Sequence, residues 1–153
     1  MKNNFDFLVG TWDSTQRRLR RPLTGSDDWY DFPGHTKCWT VFDGNGNIDE
    51  VTFPTLGFSG VTLRLYNAER DEWSLYWANS TRGLAVPPNV GRFDDTGVGT
   101  FLCEEIYEGT PIVCRYRWSH ITDEAARWDQ AFSTDGGCTW ETNWVADFRR
   151  TGR

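Results

Sequence analysis

The 153-residue sequence is short of the residue types that most catalytic chemistry relies on. It holds two histidines, His35 and His120, far apart along the chain, so a histidine-rich metal site is not supported. Its four cysteines, Cys38, Cys103, Cys114 and Cys138, make no C-x-x-C pair and no metal-ligand spacing. Redox motifs and phosphate-binding glycine loops are missing too, and no cofactor is expected. No apolar run reaches the length of a membrane span, and the opening "MKNNFDFLVG" lacks a secretory apolar region. A reducing cytoplasm is the simplest location for such a chain. Positive charge is also in deficit: the net charge is -6 and the pI about 4.9, a field that repels phosphate backbones and anionic membranes. Neither nucleic acid nor a membrane is an expected partner. Helical periodicity is hard to find anywhere.

Aromatic side chains are plentiful. They make up 16% of the sequence, with nine tryptophans, in a chain whose mean hydropathy of -0.62 describes a water-facing protein. That exceeds what an average core needs. Short runs rich in Val, Thr, Tyr, Phe and Trp recur between turn signals, near 10–21, 36–43, 48–53, 58–67, 72–80, 90–94, 98–107, 112–120, 126–133 and 139–149. No linker or repeat interrupts them, so residues 1–153 are expected to form one all-β domain, a sandwich or barrel. "YEGTPI", "NAERDE" and "DGNGN" read as hairpin turns.

Three motifs invite chemistry and are better explained by structure. Ser133, Asp135, Gly137, Thr139 and Trp140 in "AFSTDGGCTWETNW" match the Asp-box of sialidase propeller blades, but the chain is too short for several blades. Asp135 can cap the turn while Gly136 and Gly137 supply positive φ. Asp43, Asn45, Asn47 and Asp49 are spaced like the early ligands of a calcium loop, yet Ile48 stands where the turn glycine belongs and Pro54 where the bidentate glutamate should be. Arg17, Arg18, Arg20 and Arg21 are offset by the acidic "DDWYD" and read as a solvated strand face, or as the source of one arginine gripping a ligand carboxylate.

"FDFLVGTWD" at 5–13 places Gly10 and Trp12 at the start of the first strand, and "NWVADFRR" at 143–150 ends the last one on arginine. Together they resemble the calycin superfamily, the lipocalin-like barrels. The resemblance implies a single antiparallel barrel of about eight to ten strands with a ligand cavity, closed where Trp12 meets Arg149. "GNIDE", "TLRLYNAERDEWSLYW" and "RWDQAFSTDGGCTWETNW" further resemble an uncharacterised DUF1579-related lipocalin-like group. Calycin barrels include carriers, a haem-binding branch, chromophore lyases and some cyclases, so fold alone leaves activity open.

Hairpin register decides which side chains share a face. A two-residue turn at Gly109-Thr110 puts Glu105 among Phe101, Cys103, Tyr107, Cys114, Tyr116 and Trp118, a lone carboxylate on an apolar and aromatic face. Such a carboxylate should have a raised pKa, suited to acid–base work, or else lie wet at the mouth. Tyr116, with Tyr107, is the companion candidate for polarising a substrate. In the hairpin of the Asp-box, Phe132 opposite Trp140 would set Gln130 among Trp128 and Trp144. In the "VTLRLY"/"WSLYW" hairpin, Val61, Leu63 and Leu65 would share an apolar face with Trp73, Leu75 and Trp77, continued by Asn79. Either Asp49 or Glu50 is expected to point inward opposite Trp39.

The candidate catalytic residues are therefore Glu105 and Tyr116, and the candidate substrate contacts Trp39, Trp77, Asn79, Tyr107, Trp118, Gln130 and Trp144. The expected partner is a hydrophobic or aromatic small molecule, met by a monomer or homodimer. Two functions fit: a cofactor-free isomerase or cyclase of natural-product metabolism, or a carrier or sensor that binds without turnover.

Overall fold

Side chains that alternate between apolar and polar with a period of two fold most of the chain into antiparallel strands. The computed structural model describes residues 1–153. Its strands are β1 (Gly10–Leu19), β2 (Trp29–Val41), β3 (Gly46–Phe53), β4 (Phe58–Asn67), β5 (Glu72–Asn79), β6 (Gly83–Leu84), β7 (Asn89–Phe93), β8 (Gly99–Tyr107), β9 (Thr110–Ser119), β10 (Ala125–Ser133) and β11 (Glu141–Gly152). Helix is confined to two 3-10 turns, Asp6–Leu8 and Phe42–Gly44.

The strands run in the order β4-β3-β2-β1-β11-β10-β9-β8-β7-β5, and β4 pairs with β5 to close the ring. The result is the expected calycin-like barrel of antiparallel strands, with its free edges removed by closure. β7 and the two-residue β6 share one edge of β5: β7 covers Trp73 to Leu75, and β6 covers Ala78 and Asn79. β7 reaches only Gly99 to Leu102 of β8, so the far half of β8 has one unpaired edge. β2 starts seven residues before its expected beginning at 36. Its early half includes Pro33, which pairs with Thr15 of β1 before β3 joins at His35. A proline is tolerated there because that stretch is an edge, with no neighbour to receive its missing N–H.

One end of the barrel is a packed floor. Phe5 and Leu8, which flank and end the first 3-10 turn, are fully buried beside Trp12, Trp73, Phe101 and Trp118. Phe5 meets Trp73 and Phe93 edge-on, both at 5.0 Å between centroids. Trp12 donates its indole N–H to Leu8 O at 2.8 Å. The arginine that seals this end is Arg150, not the expected Arg149. Arg150 stacks 4.3 Å over Trp12 and donates to Val9 O and Phe7 O. Arg149, one residue earlier on β11, faces the outside, where it is 4.0 Å from Asp13. Alternation along the strand gives the inward position to the residue two beyond Phe148.

Register accounts for the other corrections. The β8–β9 turn is Glu108-Gly109, both with positive φ, so Tyr107 pairs with Thr110 and Glu105 with Ile112. This shifts the expected pairing by two residues and leaves every side chain on its expected face. The β4–β5 pairing sets Thr62 opposite Trp77 and Arg64 opposite Leu75, so Thr62 and Arg64 face inward and Val61, Leu63 and Leu65 face outward. Asp49 faces Cys38, Glu50 faces Lys37, and Trp39 faces Ile48 on the outside of the barrel. In the Asp-box hairpin an irregularity between Gln130 and Ala131 pairs Gln130 with Trp144 and Phe132 with Glu141, not Trp140.

Candidate functional site

Above the floor, the barrel encloses a cavity of about 360 Å³. Eight of the nine residues singled out from the sequence line it: Glu105, Tyr116, Trp77, Asn79, Tyr107, Trp118, Gln130 and Trp144. Trp39 does not, and is 46% exposed on the outer surface because its strand parity turns it away. Trp128, Phe53 and Phe132 complete the aromatic wall. Trp128 meets Trp144 edge-on at 5.4 Å and Tyr116 at 5.4 Å, so three rings from three adjacent strands form one continuous surface. Gly60 makes the opposite wall possible. A Cβ at Gly60 would sit 2.0 Å from the Trp77 ring, so only glycine lets that indole lie across β4.

The polar groups of the cavity differ in how fully the protein satisfies them. Trp144 donates to Gln16 Oε1 at 2.7 Å, and Gln16 donates to Ser14, which fixes that indole. Gln130 donates to Asn143 Oδ1 at 2.8 Å, leaving its carbonyl to the lumen. Asn79 is occupied by its own turn, accepting from the backbone of Thr81 and Arg82 and from the Thr81 hydroxyl. Tyr116 has no hydrogen-bond partner for its hydroxyl within the protein, and burial pushes its pKa well above the phenol value, with Cys114 and Glu105 adding to the shift. It keeps its proton and can donate a hydrogen bond from the cavity wall. Burial likewise raises Tyr107.

Glu105 stands on the free-edged half of β8, at the mouth, with its chain exposed and its carboxyl partly desolvated. That desolvation raises its pKa above the ordinary carboxylate value. Across the mouth, Arg18 lies 4.2 Å over the Trp144 ring, and Arg82 extends from the exposed segment that carries β6. Two other arginines of the basic run are held outside the barrel: Arg17 by Asp31 and Trp29, Arg20 by Asp28 and Tyr30.

The deep end of the cavity holds an ion pair that was not legible beforehand. Arg64 Nη2 lies 2.6 Å from Asp49 Oδ2, with both side chains more than nine-tenths buried. Arg64 also donates to Asn47 Oδ1 at 3.1 Å, and Asn47 donates to Phe5 O. Of the residues spaced like a calcium loop, Asn47 and Asp49 are thus turned into the barrel, against an arginine, while Asp43 and Asn45 stay exposed in the turn. Burial raises the Asp49 pKa, opposed by Arg64, and pushes the neighbouring Cys38 thiol up to about 12.

The Asp-box sits outside the cavity and is saturated internally. Asp135 accepts from the Ser133 and Thr139 hydroxyls and from the backbone N–H groups of Cys138 and Thr139. These bonds, the Thr139 hydroxyl first, hold its pKa well below the usual carboxylate range.

Comparison with known proteins bears on the fold. No family model and no curated protein matches the chain. Among solved structures it is similar to the S-type phycobiliprotein lyase of Guillardia theta, at 14% identity and a TM-score of 0.57, over 95% of this chain and 89% of that one. At that identity the likeness is one of architecture.

Proposed function

We propose that the barrel binds a flat aromatic small molecule in its lumen. The observation that carries this reading is the cavity of about 360 Å³ walled by Trp77, Trp128, Trp144 and Tyr116, within the usual size range of small-molecule sites. Indole and phenol faces give stacking area at low entropic cost, and the Tyr116 hydroxyl and Gln130 carbonyl orient the guest. An acidic substituent left at the mouth meets Arg18. Titration with 6-methylflavone, followed by tryptophan fluorescence, tests the reading: quenching should saturate, and Thr62→Phe, which puts a ring into the lumen, should weaken binding by at least about tenfold. Unsaturable quenching, or quenching unaffected by Thr62→Phe, counts against it.

Catalysis is the second reading, favoured by the placement on the adjacent strands β8 and β9, along one cavity, of a carboxyl with a raised pKa and a phenol that keeps its proton. In a cofactor-free isomerisation or cyclisation, Glu105 removes a proton from carbon and returns it elsewhere, while Tyr116 donates a hydrogen bond to the oxygen on which charge accumulates. That a lyase is built on a similar barrel supports an enzyme without naming its reaction. Kemp elimination of 5-nitrobenzisoxazole probes such a base directly: the base takes the C–H proton, the N–O bond breaks, and a cyanophenolate is released. Glu105→Gln should cut this rate by about 10²-fold with 6-methylflavone binding kept. An unchanged rate leaves a carrier or sensor. The kinship with the uncharacterised DUF1579-related group, a cytoplasmic location, and a monomeric or homodimeric state complete the proposal. The four free thiols agree with a reducing compartment.

A further inference from the structure

The ion pair at the deep end of the cavity has more hydrogen-bonding capacity than the protein uses. Thr36, Asp49, Thr62 and Arg64 all line the lumen, on the adjacent strands β2, β3 and β4. Asp49 and Thr62 are direct partners across β3 and β4, and Thr36 lies two residues from Cys38, the partner of Asp49 on β2. Thr36 Oγ1 and Arg64 Nε are buried with no hydrogen-bond partner. Asp49 pairs with Arg64 and accepts from the backbone N–H of Thr62, which leaves its carboxylate part of its acceptor capacity. Orphaned buried polar atoms are rare, and a purely structural ion pair is stable only when its remaining donors and acceptors are filled. Here β2 and β4 turn unfilled groups toward one end of an aromatic cavity, on either side of the ion-paired Asp49.

We propose that Asp49, Thr36 and Thr62 anchor a neutral hydroxyl on the leading end of the ligand, with Arg64 holding the Asp49 carboxylate in place. The hydroxyl donates to the Asp49 carboxylate and accepts from a threonine hydroxyl. Because Arg64 and Asp49 balance one another, neither a ligand carboxylate nor a ligand cation gains at this end. The lumen is thereby selective along its length: an uncharged hydroxyl deep, an aromatic body in the middle, and any acidic group at the mouth. This rests on the lumen being the binding site.

The test compares 6-hydroxyflavone with 6-methylflavone, which differ by a hydroxyl in place of a methyl group. The wild-type protein should bind the hydroxyl compound at least about tenfold more tightly, the size expected for hydrogen bonds to a charged group. Asp49→Leu combined with Arg64→Met replaces the pair by apolar side chains and leaves no orphan charge, so the barrel should fold. In this variant the preference should vanish. Thr36→Val and Thr62→Val, which delete only hydroxyls, should each reduce the preference by about threefold and serve if the double variant does not fold. Equal wild-type affinities, or a preference that survives these changes, would overturn the anchor. Failure of both flavones to bind the wild-type protein would instead overturn the lumen reading, and the anchor with it.

Discussion

At the floor of the barrel Arg150 stacks on Trp12 at 4.3 Å, and at the mouth Arg18 stacks on Trp144 at 4.2 Å. The two pairs have the same chemistry and different surroundings. Arg150 also donates to the carbonyls of Val9, Phe7 and Gly152, and the Phe5 ring fills the space above. Arg18 has only the ring, at the edge of a cavity. An arginine that spends most of its donors on backbone carbonyls locks the chain end to the last strand. One whose donors are free is available to something from outside. Stability is therefore concentrated at the floor and binding capacity at the mouth.

The largest effect expected from this division is at Phe5. Phe5→Ala should destabilise the protein by about 3–5 kcal/mol in urea unfolding, since it empties a fully enclosed aromatic site. Next come the neighbouring arginines. Arg150→Met should cost about 2–3 kcal/mol, from lost charge-assisted hydrogen bonds and stacking, whereas Arg149→Met should stay within about 0.5 kcal/mol. The reverse order would undo the assignment of the floor. At the mouth, Arg18→Met and Glu105→Gln should each change stability by no more than about 0.5 kcal/mol, so a large loss at either would erase the contrast between the two ends.

The Asp-box belongs to neither end. Asp135→Ala should lower the melting temperature by a few degrees and leave flavone binding unchanged. Asp135 has a folded-state pKa below its unfolded one, so its contribution is present above the unfolded value of about 3.9 and is lost as pH falls toward the folded value. The melting-temperature gap between wild type and Asp135→Ala should accordingly close on acidification. A gap that widened in acid would contradict the hydrogen-bond pattern drawn around this carboxylate.

Strand parity explains which parts of the site were legible in the sequence. The face carrying Glu105, Tyr107, Tyr116 and Trp118 could be read because the true turn differs from the expected one by a register shift of two, which preserves every side chain's direction. The β4–β5 hairpin failed because its loop shifts the register by one, and a shift of one exchanges faces. Arg64 was thereby hidden among residues that look solvent-facing, and with it the deep ion pair. Trp39 was lost in the same way, since the loop at 42–45 sets it opposite Ile48 and turns it outward. Arg149 and Arg150 are adjacent and chemically identical, so only the inward direction of Phe148 separates them. β6 has two residues and no pattern of its own; it exists because β7 leaves the end of β5 uncovered. The all-β class was visible from turn spacing, which depends on no single register, and the barrel was implied by the resemblance that Gly10, Trp12 and the closing arginine carry.

Nine indole N–H groups make the division between floor, lumen and exterior directly observable. Trp12 and Trp73 belong to the floor, Trp77, Trp128 and Trp144 to the lumen, and Trp39 to the outer surface. In a ¹H–¹⁵N spectrum recorded during titration with 6-methylflavone, the indole signals of Trp77, Trp128 and Trp144 should move together and saturate, while those of Trp12, Trp73 and Trp39 stay in place. Movement of Trp39 with the lumen indoles unmoved would place the binding surface outside the barrel and contradict the function proposed for it.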